Sequence, residues 1–190
     1  MNEPQLVLVA ELRRYRPADE REEEFRARIL AHVAGTESWW HRDTLPGHVT
    51  ASAFVTDPGL ERLLLHHHRK LGRWLQLGGH DEGERSPAQT ALREVFEESG
   101  LTRLRFFGGG PAIFDLDIHA IPAAGAMAAH DHLDVRYLLV ADPAEELRRD
   151  AAESEDLRWF GLEEALRRMG EEGALRVGRK LLALRAELAG

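Results

Sequence analysis

The stretch LQLGGHDEGERSPAQTALREVFEESGL, Leu75 to Leu101, constrains this chain more than any other, because two glycines lead into a segment with three glutamates in five residues, Glu94, Glu97 and Glu98. Side chains at i, i+3 and i+4 share a helix face, where like charges repel by a few tenths of a kcal/mol per pair. Such crowding implies a cation among the acids. Ser86 and Pro87 read as an N-cap followed by proline at the first helical position, Gln89 completes a capping box, and Gly100 can stop the helix. Ala88, Ala91, Leu92 and Val95 form an apolar stripe that docks on a sheet, leaving Arg93, Glu94, Glu97 and Glu98 around the other side. Glu94 and Glu98, one turn apart, can converge on one ion, while Glu97 lies close enough to share a second ion or a bound water. Arg93 can hold the acids in position through charge-assisted hydrogen bonds.

An acidic run on a helix is by itself usually a solvated face. What separates this one is that Gly79, a capped helix, REV, EE and GL fall in one register. The chain has no cysteine, so a metal must be held by Asp, Glu, His or backbone oxygen. Hard oxygen donors suit Mg2+ or Mn2+; magnesium takes remaining ligands from substrate phosphates, which points to a diphosphate substrate. The 25 Lys plus Arg against 33 Asp plus Glu leave a net charge of −8, which opposes binding to a nucleic-acid polymer or an anionic membrane. The N-terminal MNEPQLVLVAELRR lacks the basic start and cleavage site of a signal peptide, and no stretch reaches the ~18 consecutive apolar residues of a membrane span. A cytoplasmic protein is expected.

At 190 residues there is room for one medium domain with an extension. Phe25, Ile29, Leu30 and Val33 predict an amphipathic helix over 19–34. HVTASAFVTD and ERLLLHHHRK, joined at Pro58-Gly59, predict a β-hairpin, and RWLQL a third strand. Beyond the acidic helix, LRFFGGGPAIFDLDIHAIP, HDHLDVRYLLVAD and LRWFGL read as strands, and GALRVGRKLLALRAEL as a C-terminal helix. Strands mixed with a few helices without regular alternation indicate an α+β (mixed α/β) fold.

The acidic segment resembles the signature of the Nudix (MutT-like) hydrolases, G-x5-E-x7-R-E-U-x-E-E-x-G-U. Gly79, Arg93, Glu94, Val95, Glu97, Glu98, Gly100 and Leu101 match it at the correct spacing. The departure is the first glutamate, because Arg85 stands at its position and Glu84 comes one residue early; an altered loop in which Glu84 substitutes accounts for this. The resemblance implies a mixed sheet sandwiched between helices, and hydrolysis of a nucleoside diphosphate linked to another group: a nucleoside triphosphate, oxidised nucleotide or nucleotide sugar. It implies Glu94, Glu97, Glu98 and the Gly79 carbonyl as metal ligands. The strand order suits the family from about residue 47 to 185, so a hydrolase domain is expected at 46–190, with 1–45 as a helical extension packed on the main domain, serving as a cap or as an oligomer contact such as that of a homodimer. The alternative is a Nudix-fold domain that senses a nucleotide without cleaving it, which would not need intact metal ligands. An isopentenyl-diphosphate isomerase of the same fold is expected to use a cysteine, and there is none.

Other residues follow from strand alternation. His130, His132, Asp134 and Arg136 project from one strand face, either lining a substrate cleft or covering the sheet as a polar face. A histidine metal centre there would need ligands beyond two histidines at i, i+2. His66 and His68 share a face just before the Trp74 strand, where similar family members place substrate-facing basic residues. Trp39 and Trp40 read as packing residues in preference to a base-stacking pair. Many Nudix enzymes carry a glutamate before a Trp-containing strand, acting as an extra metal ligand or general base from a mobile loop; here Glu153 and then Glu155 are the candidates before Trp159.

Overall fold

In the computed structural model the described residues are 1–125, 127–170 and 172–189. The described residues form five α-helices and eight strands, a mixed α/β fold of the expected class. It divides into two compact units.

The first unit comprises 1–52, 78–91 and 112–137. Helix α1 (Glu3–Arg14) starts at a capping box between Asn2 and Gln5. It packs on α2 (Glu20–Gly35), capped by Asp19, with Leu8, Val9 and Leu12 buried on one helix and Phe25, Ile29 and Val33 on the other. The fully buried Glu22 accepts hydrogen bonds from the Tyr15 hydroxyl (2.5 Å), the Ala18 amide (2.6 Å) and the Leu116 amide (3.1 Å), fixing α2 to strand β6 (Ile113–Ile121). Strand β6 pairs antiparallel with β7 (His130–Val140), Asp117 opposite Asp134 and His119 opposite His132. Strand β4 (Leu77–His80) pairs with β1 (Gly47–Thr56) so closely that a Cβ on Gly78, at φ +156°, would stand 2.4 Å from Ser52 Cα. Only glycine fits there.

The second unit comprises 53–77, 92–111 and 138–190. The hairpin of β1 with β2 (Arg62–His68) is present, with Val55 opposite Leu64, and β2 pairs further with β3 (Arg73–Leu75) and β8 (Ser154–Gly161). Strand β5 (Arg105–Phe106) pairs with the end of β7. Helices α4 (Leu162–Met169) and α5 (Glu172–Ala189) pack together, and α4 rests on β2, β3 and β8. Leu63, Leu64, Leu65, Leu139, Ala165 and Val177 supply the core here.

Four elements pass through both units: β1, β4, β7 and α3 (Pro87–Ser99). The amide of Asp131 bonds to the carbonyl of Pro46, and that of Ala141 to Thr56, an equal advance along both strands, so β1 and β7 run parallel, whereas the pairs β1–β2, β2–β3, β2–β8, β5–β7 and β6–β7 are antiparallel. No described helix is long and apolar enough to cross a membrane.

Candidate active site

Helix α3 begins at Pro87 and ends where the Gly100 amide, at φ +73°, bonds to the Phe96 carbonyl (2.7 Å). Ala91 and Val95 are fully buried, as the stripe required, while Leu92 is half-buried. The cation implied by the crowded acids is present in the protein itself. Arg93 Nη1 donates to Glu94 Oε1 (3.1 Å) and to Glu97 Oε2 (2.8 Å), bridging two of the three carboxylates. Glu98 turns to the buried side, 5% exposed, with Oε1 3.5 Å from Nδ1 of His66. That nitrogen is also 2.7 Å from the Ser154 hydroxyl. Burial, reinforced by the neighbouring His68 and His67, pushes the His66 pKa down to about 4, so Glu98 faces a neutral imidazole at pH 7.

The loop before β8 is tied to the end of α3. The Arg148 amide bonds to the Ser99 carbonyl (2.7 Å) and the Asp150 amide to the Glu98 carbonyl (3.3 Å). Glu153 follows, its carbonyl accepting from the Arg69 amide (2.9 Å). Burial lowers the His68 pKa, against the opposing field of the Glu153 carboxylate. Glu155 is the extra residue of a β-bulge, since His67 is opposite Asp156 and His68 opposite Ser154. The bulge presents Glu155 to solvent beside His67 Nδ1 (3.1 Å). Strand β8 therefore starts three residues earlier than LRWFGL suggests and includes this candidate base.

In the first unit Gly79 lies in β4, next to the closely packed Gly78. The altered loop between β4 and α3 has its own internal bonding. Glu84 Oε2 accepts from the Glu82 amide (2.8 Å) and the Thr90 hydroxyl (3.4 Å), and Asp81 Oδ1 from the Gly83 amide (2.8 Å). Arg85 adopts φ +53°, uncommon for a side-chain-bearing residue, and its guanidinium lies 5.2 Å from the ring centre of Trp40. Trp39 is buried, as a packing residue should be.

The polar face of β7 is shared between two clusters. Arg136, 1% exposed, contacts three aspartates: Asp134 at 2.8 Å, Asp117 at 2.9 Å and Asp115 at 3.3 Å. Its Nη2 is 2.7 Å from His119 Nε2, and Asp134 also accepts from Ser52 Oγ (2.8 Å). Burial alone would raise the Asp134 pKa, but Arg136, His119 and the Ser52 hydrogen bond hold it below the usual carboxylate value. Burial likewise opposes the Arg136 charge, and the three aspartates more than offset it. This guanidinium is committed to the interior. His130 and His132 instead join His48 and His80 in a cluster of imidazoles. Ser52, His48, His80, Asp115, Asp117, His119 and Ser154 are members of these arrangements that sequence reasoning missed. The alternation of FDLDIH, which mirrors HDHLDVR, is the signal that could have found the two aspartates.

A family model described as NUDIX domain matches residues 46–181. Comparison with curated protein sequences finds no match. Among solved structures, the chain is similar to a NUDIX-family hydrolase from Clostridium perfringens, with TM-score 0.55 and 25% identity, covering 72% of this chain and 97% of that one. It is similar to a C. elegans Ap4A hydrolase, with TM-score 0.56 and 19% identity, covering 73% of this chain and 98% of that one. It is also similar to the E. coli dihydroneopterin triphosphate pyrophosphohydrolase, with TM-score 0.52 and 16% identity, covering 70% and 92%.

Proposed function

The chain belongs to the Nudix hydrolase family and is a pyrophosphohydrolase, and from that premise we propose that it cleaves a diphosphate linkage in a small nucleoside diphosphate derivative, with Mg2+ or Mn2+ held by Glu94, Glu97, Glu98 and the Gly79 carbonyl. The observation that carries this reading is the acid set of α3: Arg93 bridges Glu94 and Glu97, and Glu98 is buried against a neutral imidazole. The donors are all hard oxygens, and a carboxylate carried into the interior gains from an added cation. The residues present therefore fit the ion.

When bound, the ion supplies charge neutralisation at phosphate and a lowered pKa for an attacking water. The protein's own groups do the rest. Arg93 holds Glu94 and Glu97 in place, and His66, fixed by Ser154, orients Glu98. The oxygen of a water attacks phosphorus, the bridging P–O bond breaks, and the water's proton passes to a carboxylate, for which Glu153 is the first choice and Glu155 the second. Glu153 is favoured because it adjoins Ser154 and its charge acts on His68, whereas Glu155 faces solvent with His67. His68 is the basic residue of this group suited to meeting a phosphate. For His66 and Arg136 the packing favours positioning roles over the substrate contact expected from alternation alone.

Nucleoside triphosphates, oxidised nucleotides and nucleotide sugars are the proposed substrate classes. The nucleotide-cleaving proteins among the structural relatives share 16–19% identity, a level that supports the fold and leaves the substrate to experiment. The proposed division places a helical extension at 1–45 and the hydrolase domain at 46–190, whose last residue lies outside the described ones. The seating of α2 on β6 supports a packed extension. We further propose a cytoplasmic location and a homodimer as the assembly to test.

The deciding experiment is a phosphate-release screen over those classes, ADP-ribose and dinucleotides, with Mg2+, with Mn2+ and with EDTA. Metal-dependent turnover of one class is expected; saturable nucleotide binding with no turnover of any compound would overturn the proposal. Comparing Glu153→Gln and Glu155→Gln across pH at saturating Mg2+ then identifies the base, whose variant loses turnover and the acidic limb of the profile while binding substrate normally.

A further inference from the structure

Four histidines from three strands meet in the first unit: His48 of β1, His80 of β4, and His130 and His132 of β7. The His48 ring centre lies 5.1 Å from His80, 5.1 Å from His130 and 4.9 Å from His132, and those of His80 and His132 are 4.8 Å apart. None of these contacts belongs to the acid set of α3. His48 is 1% exposed, and both of its ring nitrogens are buried without a hydrogen bond; the Thr44 backbone group nearby falls short of hydrogen-bond geometry. Leaving a buried polar nitrogen unmatched costs about 1–3 kcal/mol, so the site is built for something besides packing.

The tautomers point to what that is. His130 Nδ1 lies 2.9 Å from the Ala128 carbonyl, which can only accept, so the ring proton sits on Nδ1 and Nε2 carries a lone pair. A backbone carbonyl behind one nitrogen, with the other free, is the usual orientation of a metal-bound imidazole. One nitrogen from each of His48, His130 and His132 lies within 4.8 Å of the other two. Nε2 of His80 and Nε2 of His132 share a hydrogen bond (3.3 Å), a separation equal to the nitrogen–nitrogen edge of about 3.3 Å in a tetrahedron with ~2.0–2.1 Å metal bonds, so an ion would take the place of the shared proton.

We propose that His48, His130 and His132, with His80 in the fourth position, form a structural site for a zinc-class divalent ion, separate from the magnesium-type site on α3. Neutral nitrogen ligands suit zinc, cobalt or nickel, whereas the carboxylates of α3 suit magnesium or manganese, so the two sites select different metals. Asp134 supplies compensating negative charge beside His80 and His132. An ion here would join β1, β4 and β7 at one point.

The test is to strip the full chain with a chelator and titrate it with Co2+, following the visible ligand-field absorption that reports tetrahedral geometry. One equivalent should saturate the signal, and Zn2+ should displace it. The signal should survive in the Glu94→Gln/Glu98→Gln double variant and weaken on the order of 100-fold in affinity in His130→Gln and His132→Gln. Absence of a saturable spectrum in the wild-type protein overturns the proposal. So does a spectrum lost in the glutamate variant and kept in the histidine variants. Should the histidine variants fail to fold, the wild-type titration and the glutamate variant still decide it.

Discussion

Twice in this molecule three carboxylates are arranged with an arginine, and the two arrangements differ in what they are free to do. On α3 the acids come from five consecutive residues, Arg93 remains about 20% exposed, and Glu97 is half exposed. Beneath β6 and β7 the acids come from two strands, Arg136 is 1% exposed, and Asp115 is fully buried. Solvent access is the lesson. A partly exposed arginine can share its carboxylates with an incoming ion at little cost, whereas a buried one is held by desolvated partners and acts as a permanent counter-charge.

The largest expected effect comes from breaking the buried cluster. Arg136→Met should destabilise the protein by about 3–5 kcal/mol at neutral pH, because three buried carboxylates lose their partner. The pH dependence should also invert. In the wild type, Asp134 titrates below its unfolded value, so its stabilising contribution is present above the ordinary carboxylate range and lost as the pH falls through the lowered value. In the variant the unpaired carboxylates take up protons more readily folded than unfolded, so acidification from pH 7.5 to 5 should recover stability. Urea melts at the two pH values check this; equal loss at both would show that Arg136 acts through packing.

The acid set of α3 should respond in function and leave folding alone. Glu98→Gln and Glu94→Gln should each lower turnover by at least ~100-fold, through lost metal binding and charge stabilisation. Thermal midpoints in EDTA should stay level or rise, since a repelling acid has been removed. Unfolded variants, or full activity in Mg2+, would place the site elsewhere. A smaller effect is expected in the loop between β4 and α3, where Glu84→Gln should be milder than Glu98→Gln because Glu84 bonds to Glu82 and Thr90 within its own loop. Metal affinity measured by calorimetry separates the cases, and a loss as severe as that of Glu98→Gln would make Glu84 a direct ligand. Smallest of all, Arg85→Glu gives up the contact over Trp40 and should cost about 1 kcal/mol or less in a thermal melt.

The two arrangements were unequally legible in the sequence for the same reason. Helix α3 announces itself within 23 residues, from Gly79 to Leu101, through spacing alone. The buried cluster needs the β6–β7 register, so alternation put His130, His132, Asp134 and Arg136 on one face of β7 and left open a cleft lining or a covered polar face, while only the register sets Asp115 and Asp117 of β6 against the arginine. Helix α1 escaped because Leu6 and Val7, 49% and 53% exposed, blur the stripe made by Leu8, Val9 and Leu12. Helix α4, eight residues long, is too short for a period to emerge. The histidine cluster draws on β1, β4 and β7, and two histidines in one strand could not disclose the other two.

The loop carrying Glu153 was expected to be mobile, yet its backbone is bound along its length. Arg148 and Asp150 bond to the end of α3, the Ser154 amide to the Asp150 carbonyl (3.0 Å), the Ala152 amide to Asp150 Oδ1 (2.7 Å), and the Glu153 carbonyl to Arg69. Ordering a free backbone costs about 1–2 kcal/mol for each residue, and ordering a glutamate side chain at most about 2 kcal/mol. With the main chain already ordered in the folded enzyme, the entropy still to be lost when substrate arrives is that of one side chain, so a proton acceptor at this position can be recruited by rotation about its own bonds.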